Sequence, residues 1–205
     1  MRIPKEKRER SLGVRLGLKG DRCQGPKCVM VRRPYKPGVH GPKRSRRQLS
    51  DFGRQIREKQ KFKVTYGINE KNLRSIFDLA SKQRGSTSSK LLELLERRLD
   101  NVVFRAGFAP SRGAARKAVL QGHITVNAKK VISAGFQVVT GDVVSVKPQS
   151  LERGAFKELK ETLLKHDAPD WIKLDPQIAA ARIEKLPVAV ESPFEVNMLV
   201  ESFSK

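Results

Sequence analysis

The chain of 205 residues carries 43 Lys and Arg against 21 Asp and Glu, a formal net charge of +22, and 38% of its residues are hydrophobic. Such a content supports a modest core in one or two domains, and no apolar run approaches the roughly 20 residues that a membrane-spanning helix needs. Two cysteines are too few for a disulfide scaffold, and both are expected to stay thiols in a reducing compartment.

The charge is polarised along the chain. Residues 1–66 hold 21 Lys and Arg against 5 acids, whereas residues 152–205 hold 8 against 10. A surface charged for solubility mixes the signs. A segment this basic instead sets up a field that recruits a polyanion and makes binding strongly salt-dependent. The first 66 residues lack the aromatic and aliphatic face of a membrane-surface helix, so nucleic acid is the expected partner and membrane is not. Met1-Arg2-Ile3-Pro4 runs into charge rather than into a signal-peptide core, and a cytoplasmic location is expected.

Residues 1–47 show no sustained apolar period. In the stretch RRPYKPGVHGPKRSRR, residues 32–47, Pro34, Pro37, Gly38, Gly41 and Pro42 forbid a regular helix. So charged a segment cannot bury enough surface to fold alone, which predicts an extended basic arm that orders on RNA. Arg32, Arg33, Lys36, Lys43, Arg44, Arg46 and Arg47 are its candidate phosphate contacts, and Tyr35 and His40 can stack on bases. Cys23 and Cys28, with His40 downstream, offer three of the four ligands that a closed zinc site takes. Neither metal nor cofactor is therefore expected.

From Leu49 to Tyr66 the pattern predicts a helix. Leu49, Phe52, Ile56 and Phe62 fall on one side, and Arg54, Arg57, Lys59, Lys61 and Lys63 surround the others. One face would meet a small core and another either phosphates or solvent. Asn69 is placed to cap a shorter helix, with Leu73, Ile76, Phe77 and Ala80 at core spacing and an end near Gly85. The GSTSS stretch at 85–89 is a turn whose hydroxyls can start another helix at about Ser88.

The most informative stretch follows. Leu95, Leu99, Val102, Val103 and Ala106 repeat at helical spacing, predicting one helix through Lys90 to Phe104, with Gly107 as the left-handed residue that ends it. Ser111 can cap a second helix bearing Arg112, Arg116 and Lys117. Unpaired N–H groups, the positive dipole end and these cations together make a phosphate site. Strands are expected at His123–Asn127, Val131–Ser133, Phe136–Val139 and Val143–Val146, the last two joined by Thr140-Gly141-Asp142, with the two helices covering the sheet. His123, near Lys117, can touch RNA, but no nucleophile or second His gives it proton chemistry.

Ser150 to Lys165 predicts a further helix, broken at Asp167–Pro169. Trp171, Ile172 and Leu174 form an apolar cluster, Asp175-Pro176 reads as a cap with Pro at the first helical position, and Phe194–Phe203 reads as a closing strand. The slightly acidic tail either packs back on the helical region or meets a neighbouring protein. The expected class is α+β: an arm at 1–47, a helical domain at 48–92 completed by part of 176–205, an RNA-binding module of two helices on a short, mainly antiparallel sheet at 93–150, and a helical extension at 151–175.

The segments RRLDNVVFRAGF, SRGAARKAV, GHITVN and TGDVV, in order, resemble the RNA-binding module named after the small-subunit ribosomal protein numbered four. HGPKRSRR, SDFGRQIREKQK and YGINEKNLRSIF extend the similarity to that ribosomal family over nearly the whole chain. Gly113 departs from the family pattern by removing one cation, and Ala128 by replacing the usual Gly after Asn127. Zinc-bearing members have an earlier cysteine pair where this chain has Glu6 and Glu9. The resemblance implies a structural, non-enzymatic constituent of the small ribosomal subunit. It implies a primary binder of small-subunit ribosomal RNA at a multi-helix junction, in contact with the small-subunit protein numbered five. It also implies a place near the messenger RNA entry path, with Lys43, Arg44, Arg46 and Arg47 as the entry-path cations, and a part in translational accuracy. Similar modules are appended to RNA-modifying enzymes and stalled-ribosome factors, but here the flanks carry no cofactor loop, ligand cluster or nucleophile arrangement.

Overall fold

The computed structural model describes residues 4–42, 49–152, 154–188 and 194–204. In chain order these residues form α1 (Lys5–Leu12), α2 (Asp21–Gln24), α3 (Val29–Arg32), α4 (Asp51–Tyr66), α5 (Glu70–Ser81), α6 (Thr87–Glu96), α7 (Leu99–Arg105) and α8 (Arg112–Leu120). Strands β1 (Ile124–Val126), β2 (Lys129–Lys130) and β3 (Val143–Val146) follow, then α9 (Pro148–Leu151), a 3-10 turn at Gly154–Phe156, α10 (Leu159–Leu164), β4 (Ile172–Asp175), β5 (Ala180–Ile183) and α11 (Val196–Ser204). Two compact units result: Met1–Leu91 with Glu191–Lys205, and Leu92–Val190. The class is α+β, as the sequence predicts.

In the first unit, residues 5–32 depart from the extended arm that the sequence suggests and coil into three short helices. Of their scant apolar content, Leu12, Cys23 and Cys28 are buried. The fully buried Glu9 does the rest, its Oε1 accepting from the Leu16 and Leu18 backbone N–H at 3.2 and 3.1 Å. Side-chain acceptance of backbone donors holds a loop that has too few hydrophobes to pack. From Arg33 to Pro42 the chain is irregular, as its prolines and glycines require.

Helix α4 starts at the Ser50 cap, whose hydroxyl accepts from Gly53 N–H at 3.2 Å, and stops at Gly67, where φ is +63°. Its buried face differs from the expected one. Leu49, Phe52 and Ile56 are exposed, and the face turned inward is Gln55, Glu58, Phe62, Thr65 and Tyr66. The reason is α11. Phe194–Phe203 reads as a strand at period two, but Val196, Leu199, Val200 and Phe203 also fall at i, i+3, i+4 and i+7, and the chain is helical there. Phe194 meets Phe62 edge-on at 5.2 Å, Phe203 stacks on Phe77 at 5.0 Å, and Gln55 Nε2 donates to Glu201 at 3.2 Å. Helix α5 is capped by Asn69, which accepts from Asn72 N–H at 2.8 Å, and buries Leu73, Ile76 and Ala80 as its spacing predicts.

In the second unit a five-stranded antiparallel sheet runs in the order β2-β1-β3-β5-β4. Helices α7 and α8 share one core with it, built from Leu99, Val102, Val103, Val119, Ile124, Val144, Trp171 and Ile183 among others. Each fully buried Leu or Val of this kind contributes about 1.5–3 kcal/mol through apolar burial. The helix expected through Lys90–Phe104 is two helices. Arg98 is extended (ψ 135°) and bridges Gln137, while Val138 N–H donates to Arg97 O at 2.9 Å and Leu99 N–H to Phe136 O at 2.8 Å. Cross-chain pairing thus satisfies backbone groups that a continuous helix would have used internally.

The strands differ too. Instead of Val131–Ser133, β1 pairs with Lys129–Lys130 through a two-residue turn and with β3 on its other side, and Phe136–Val139 pairs with residues 97–99 around the Arg98–Gln137 bridge. Beyond Val146 the expected single helix breaks into α9, the 3-10 turn and α10. Asp175-Pro176 is no cap. It opens the turn between β4 and β5, Asp175 Oδ1 accepting from Gln177 N–H at 3.1 Å. Pairing of Val144 with Ala181 adds this hairpin to the sheet, and Ala180, Ala181 and Ile183 are buried by it.

Candidate nucleic-acid interface

Helix α8 begins as expected: Ser111 is extended and its hydroxyl accepts from Ala114 N–H at 3.3 Å. The hydroxyl is buried in that duty, so Ser111 builds the helix end rather than presenting itself to a ligand. Lys117 is exposed on the same helix. Arg116 shows 39% of its side chain to solvent, with NH1 at 3.4 Å from Asp100 Oδ2. Arg112 is turned inward. Its Nε donates to Asn101 Oδ1 at 2.7 Å, its guanidinium lies 4.6 Å over the Phe104 ring, and only 19% of the side chain is exposed.

Sequence reasoning missed the acids beneath these cations. Glu96 is fully buried, and its carboxylate accepts from Asn101 Nδ2 at 2.7 Å and from Arg105 Nε and NH2 at 2.8 and 3.1 Å. Asp100, also buried, takes a bidentate pair from Arg98 at 3.0 and 2.8 Å before reaching Arg116. The available signal was two acids and an amide around a pair of arginines, ERRLDN. Arg105, on the same edge, was likewise passed over. Each buried carboxylate accepts three hydrogen bonds and so fixes the side chains around it.

His123 is half-buried, with Nδ1 at 3.0 Å from Ser150 Oγ and its ring against Phe156 at 5.4 Å. Those contacts make it a support for the β1–α9 corner.

In the first unit Arg32, Arg33, Tyr35, Lys36 and His40 are exposed, and Arg22, Lys27, Arg32 and Arg33 line a single cleft. Arg10 stacks over Tyr35 at 4.8 Å and donates to its carbonyl at 2.9 Å, which holds the ring at the surface. Lys43, Arg44, Arg46 and Arg47 lie outside the described residues. The α4 cations divide. Arg54 is exposed beside Asp51, but Arg57 donates to Leu12 O at 3.2 and 2.6 Å, Lys61 pairs with Glu58, and Lys59 sits between Glu70 at 3.1 Å and the Phe203 ring at 3.9 Å. Of the five cations expected around this helix, Arg57, Lys59, Lys61 and Lys63 thus have partners within the fold.

Among the described residues no group of three His, Cys, Asp or Glu is arranged to hold a metal ion. The positions that answer to a zinc-bearing arm do not suit one here: Glu6 is paired with Lys19 and Arg22 at 3.5 and 3.2 Å, and Glu9 serves backbone donors. Cys23 and Cys28 are free buried thiols, and burial pushes the Cys23 thiol up.

Comparison with known proteins settles the family. Residues 1–96 match the ribosomal protein S4/S9 N-terminal domain and residues 97–144 the S4 domain. The small ribosomal subunit protein uS4 of Caldicellulosiruptor saccharolyticus is 44% identical over 195 residues, which are 94% of this chain and 93% of that protein. The chain belongs to the uS4 family. The uS4 protein of Roseiflexus castenholzii is 42% identical over 98% of this chain and 97% of its own length, and the uS4A protein of Alkaliphilus metalliredigens 43% identical over 94% and 93%. Membership in the uS4 family makes the chain a structural ribosomal protein with an RNA-binding module, a constituent of the cytoplasmic ribosome and not an enzyme. No helix among the described residues is long and apolar enough to cross a membrane. In this uS4 chain the S4 match covers α7, α8, β1, β2 and the start of β3, where Arg105, Arg116 and Lys117 stand.

Proposed function

We propose that the chain grips small-subunit ribosomal RNA with two basic surfaces, the arm and the α7–α8 edge, and nucleates subunit assembly at a multi-helix junction. The observation that carries this reading is the edge itself: Arg105, Arg116 and Lys117 reach solvent from a helix pair whose other cations are locked inward. Cations on a rigid scaffold recognise RNA whose folding has already set its phosphates at matching spacings. Shape, exposed bases and 2′-hydroxyls then carry discrimination, while Lys and Arg supply affinity.

The finer placement belongs to the same proposal. Lys43, Arg44, Arg46 and Arg47 face messenger RNA at the entry path, where the protein contributes to accuracy, and the small-subunit protein numbered five is a neighbour. A protein neighbour finds support in the exposed Phe52 and Ile56 on α4 and the exposed Leu49 just before its cap. Chemical footprinting of small-subunit RNA, with and without the full chain, tests the reading. Protection should cluster around one helical junction and survive a high-salt wash of the particle; diffuse protection, or release in the wash, would contradict it.

A further inference from the structure

Two carboxylates beneath a phosphate-binding edge are an odd choice on electrostatic grounds. Each cancels a positive charge at the place where a polyanion is to be attracted. Each has also been taken out of water, Glu96 at 0% and Asp100 at 3% exposure, which costs several kcal/mol before any pairing is counted. Stability alone is a weak reason for such a network, since well-packed apolar side chains of similar volume usually serve the fold as well or better. What an apolar residue cannot do is aim a guanidinium.

The geometry suits that task. Glu96 grips Arg105 through Nε and NH2 at 2.8 and 3.1 Å, a two-point contact that fixes the plane of the fork. Asn101 is tied to the same carboxylate and passes the constraint on to Arg112 at 2.7 Å. Asp100, clamped by the buried Arg98, holds Arg116 at 3.4 Å. Arg105 and Arg116 are the two members of this network with the most exposed side chains, at 30% and 39%. A guanidinium engaged along one edge has the direction of its remaining donors set, so RNA meets a prepared pattern and less side-chain freedom is lost on binding.

We propose that Glu96 is a positioning residue for RNA recognition that aims Arg105, a further RNA-contacting residue, and that Asp100 does the same for Arg116. This rests on the reading of the α7–α8 edge as an RNA surface. The role is distinguished by opposite effects on two RNAs. Losing a carboxylate raises the local positive charge, which favours any polyanion, while loosening the forks penalises only a target that needs them in place.

The test measures Glu96→Gln, Asp100→Asn and Arg116→Ala in the full chain, by filter binding to transcribed small-subunit ribosomal RNA and to a scrambled transcript of equal length and composition. Glu96→Gln should weaken the structured RNA about tenfold and leave the scrambled transcript unchanged or about twofold tighter. Equal losses on both RNAs, or no loss on the structured one, overturn the proposal. If Glu96→Gln fails to fold by circular dichroism, the same pair of affinities for Asp100→Asn decides in its place. Arg116→Ala separates the layers: if it binds normally, the edge is not the RNA surface and both readings fall, whereas a weakened Arg116→Ala beside a neutral Glu96→Gln removes the positioning role alone.

Discussion

Gly107 and His166 touch with no room for a side chain between them: a Cβ on Gly107 would stand 2.6 Å from the imidazole Cδ2 and 2.7 Å from Cγ. The ring is held there because its Nε2 donates to Arg105 O at 2.8 Å, closing the C-terminal end of α7. Gly107 also has φ of +77°. Gly107→Ala should therefore cost about 2–3 kcal/mol, from backbone strain and the clash together. In a His166→Ala background the same change should cost only about 1 kcal/mol, the backbone part. Urea unfolding of the four proteins of this cycle checks both values.

The β1–β2 turn places two non-glycine residues in the left-handed region, Asn127 at φ +50° and Ala128 at +63°. This is a turn with positive φ at both central positions, and Asn127 holds it by donating to Asp142 Oδ1 at 2.7 Å and accepting from Val143 N–H at 2.9 Å. Ala128 has no such compensation. Ala128→Gly should raise stability by about 0.5–1 kcal/mol, the relief of strain exceeding the entropy added to the unfolded chain. A lower melting temperature would contradict it.

Glu70 sits between Lys63 at 2.8 Å and Lys59 at 3.1 Å. Partial burial pushes its carboxyl up, but the two ammonium groups outweigh that and hold it below its ordinary 4.5. The stabilisation is present above the unfolded value and is lost as pH falls through the folded one. Because the side chain is half exposed, salt should diminish the effect. Glu70→Gln should thus flatten the acid limb of the stability curve at low ionic strength and change it little at 1 M salt.

Cys23 and Cys28 are 5% and 1% exposed, and the burial that raises the Cys23 thiol removes the reactive thiolate near neutral pH. Neither should react with iodoacetamide in the folded chain within an hour, and both should react promptly in denaturant. The thiol binds its proton more tightly when folded, so its contribution to stability is complete below the unfolded value and is lost as pH rises through the folded one. Rapid labelling of the native protein would show that the arm helices open readily.

Arg116→Ala should weaken RNA binding and reduce the slope of log affinity against log salt by about one. Lys117→Ala should do the same, being exposed on the same helix. Arg112→Ala should act otherwise, lowering fold stability while moving the salt slope less, because its guanidinium is committed to Asn101 and Phe104. Filter binding across a salt series, paired with thermal unfolding, distinguishes the two behaviours.

Features decided within a few residues were legible in the sequence. Asn69 and Ser111 each accept from the N–H three positions on, and Gly107 ends its helix in the left-handed region. The exposure of Lys117 on α8 and of Arg32, Arg33 and Lys36 in the arm was legible too, since cations in stretches poor in acids stay in water. Arg57, Lys59 and Lys61 were not. Their partners Leu12, Glu70 and Glu58 lie at mixed separations, and nothing in a list of residues says which cation is already spent.

By itself, then, the sequence determined the α+β class, the capped helices, the basic character of arm and module, and the family resemblance, because each depends on composition or on neighbours along the chain. Tertiary structure alone decided the break at Arg98, the addition of β4 and β5 to the sheet, the helical state of 196–204, and the inward turn of Arg112 upon Glu96 and Asn101. The common physical reason is that backbone and charged groups choose between local and distant partners of nearly equal intrinsic strength. Only the packed chain fixes which distant partner is within reach.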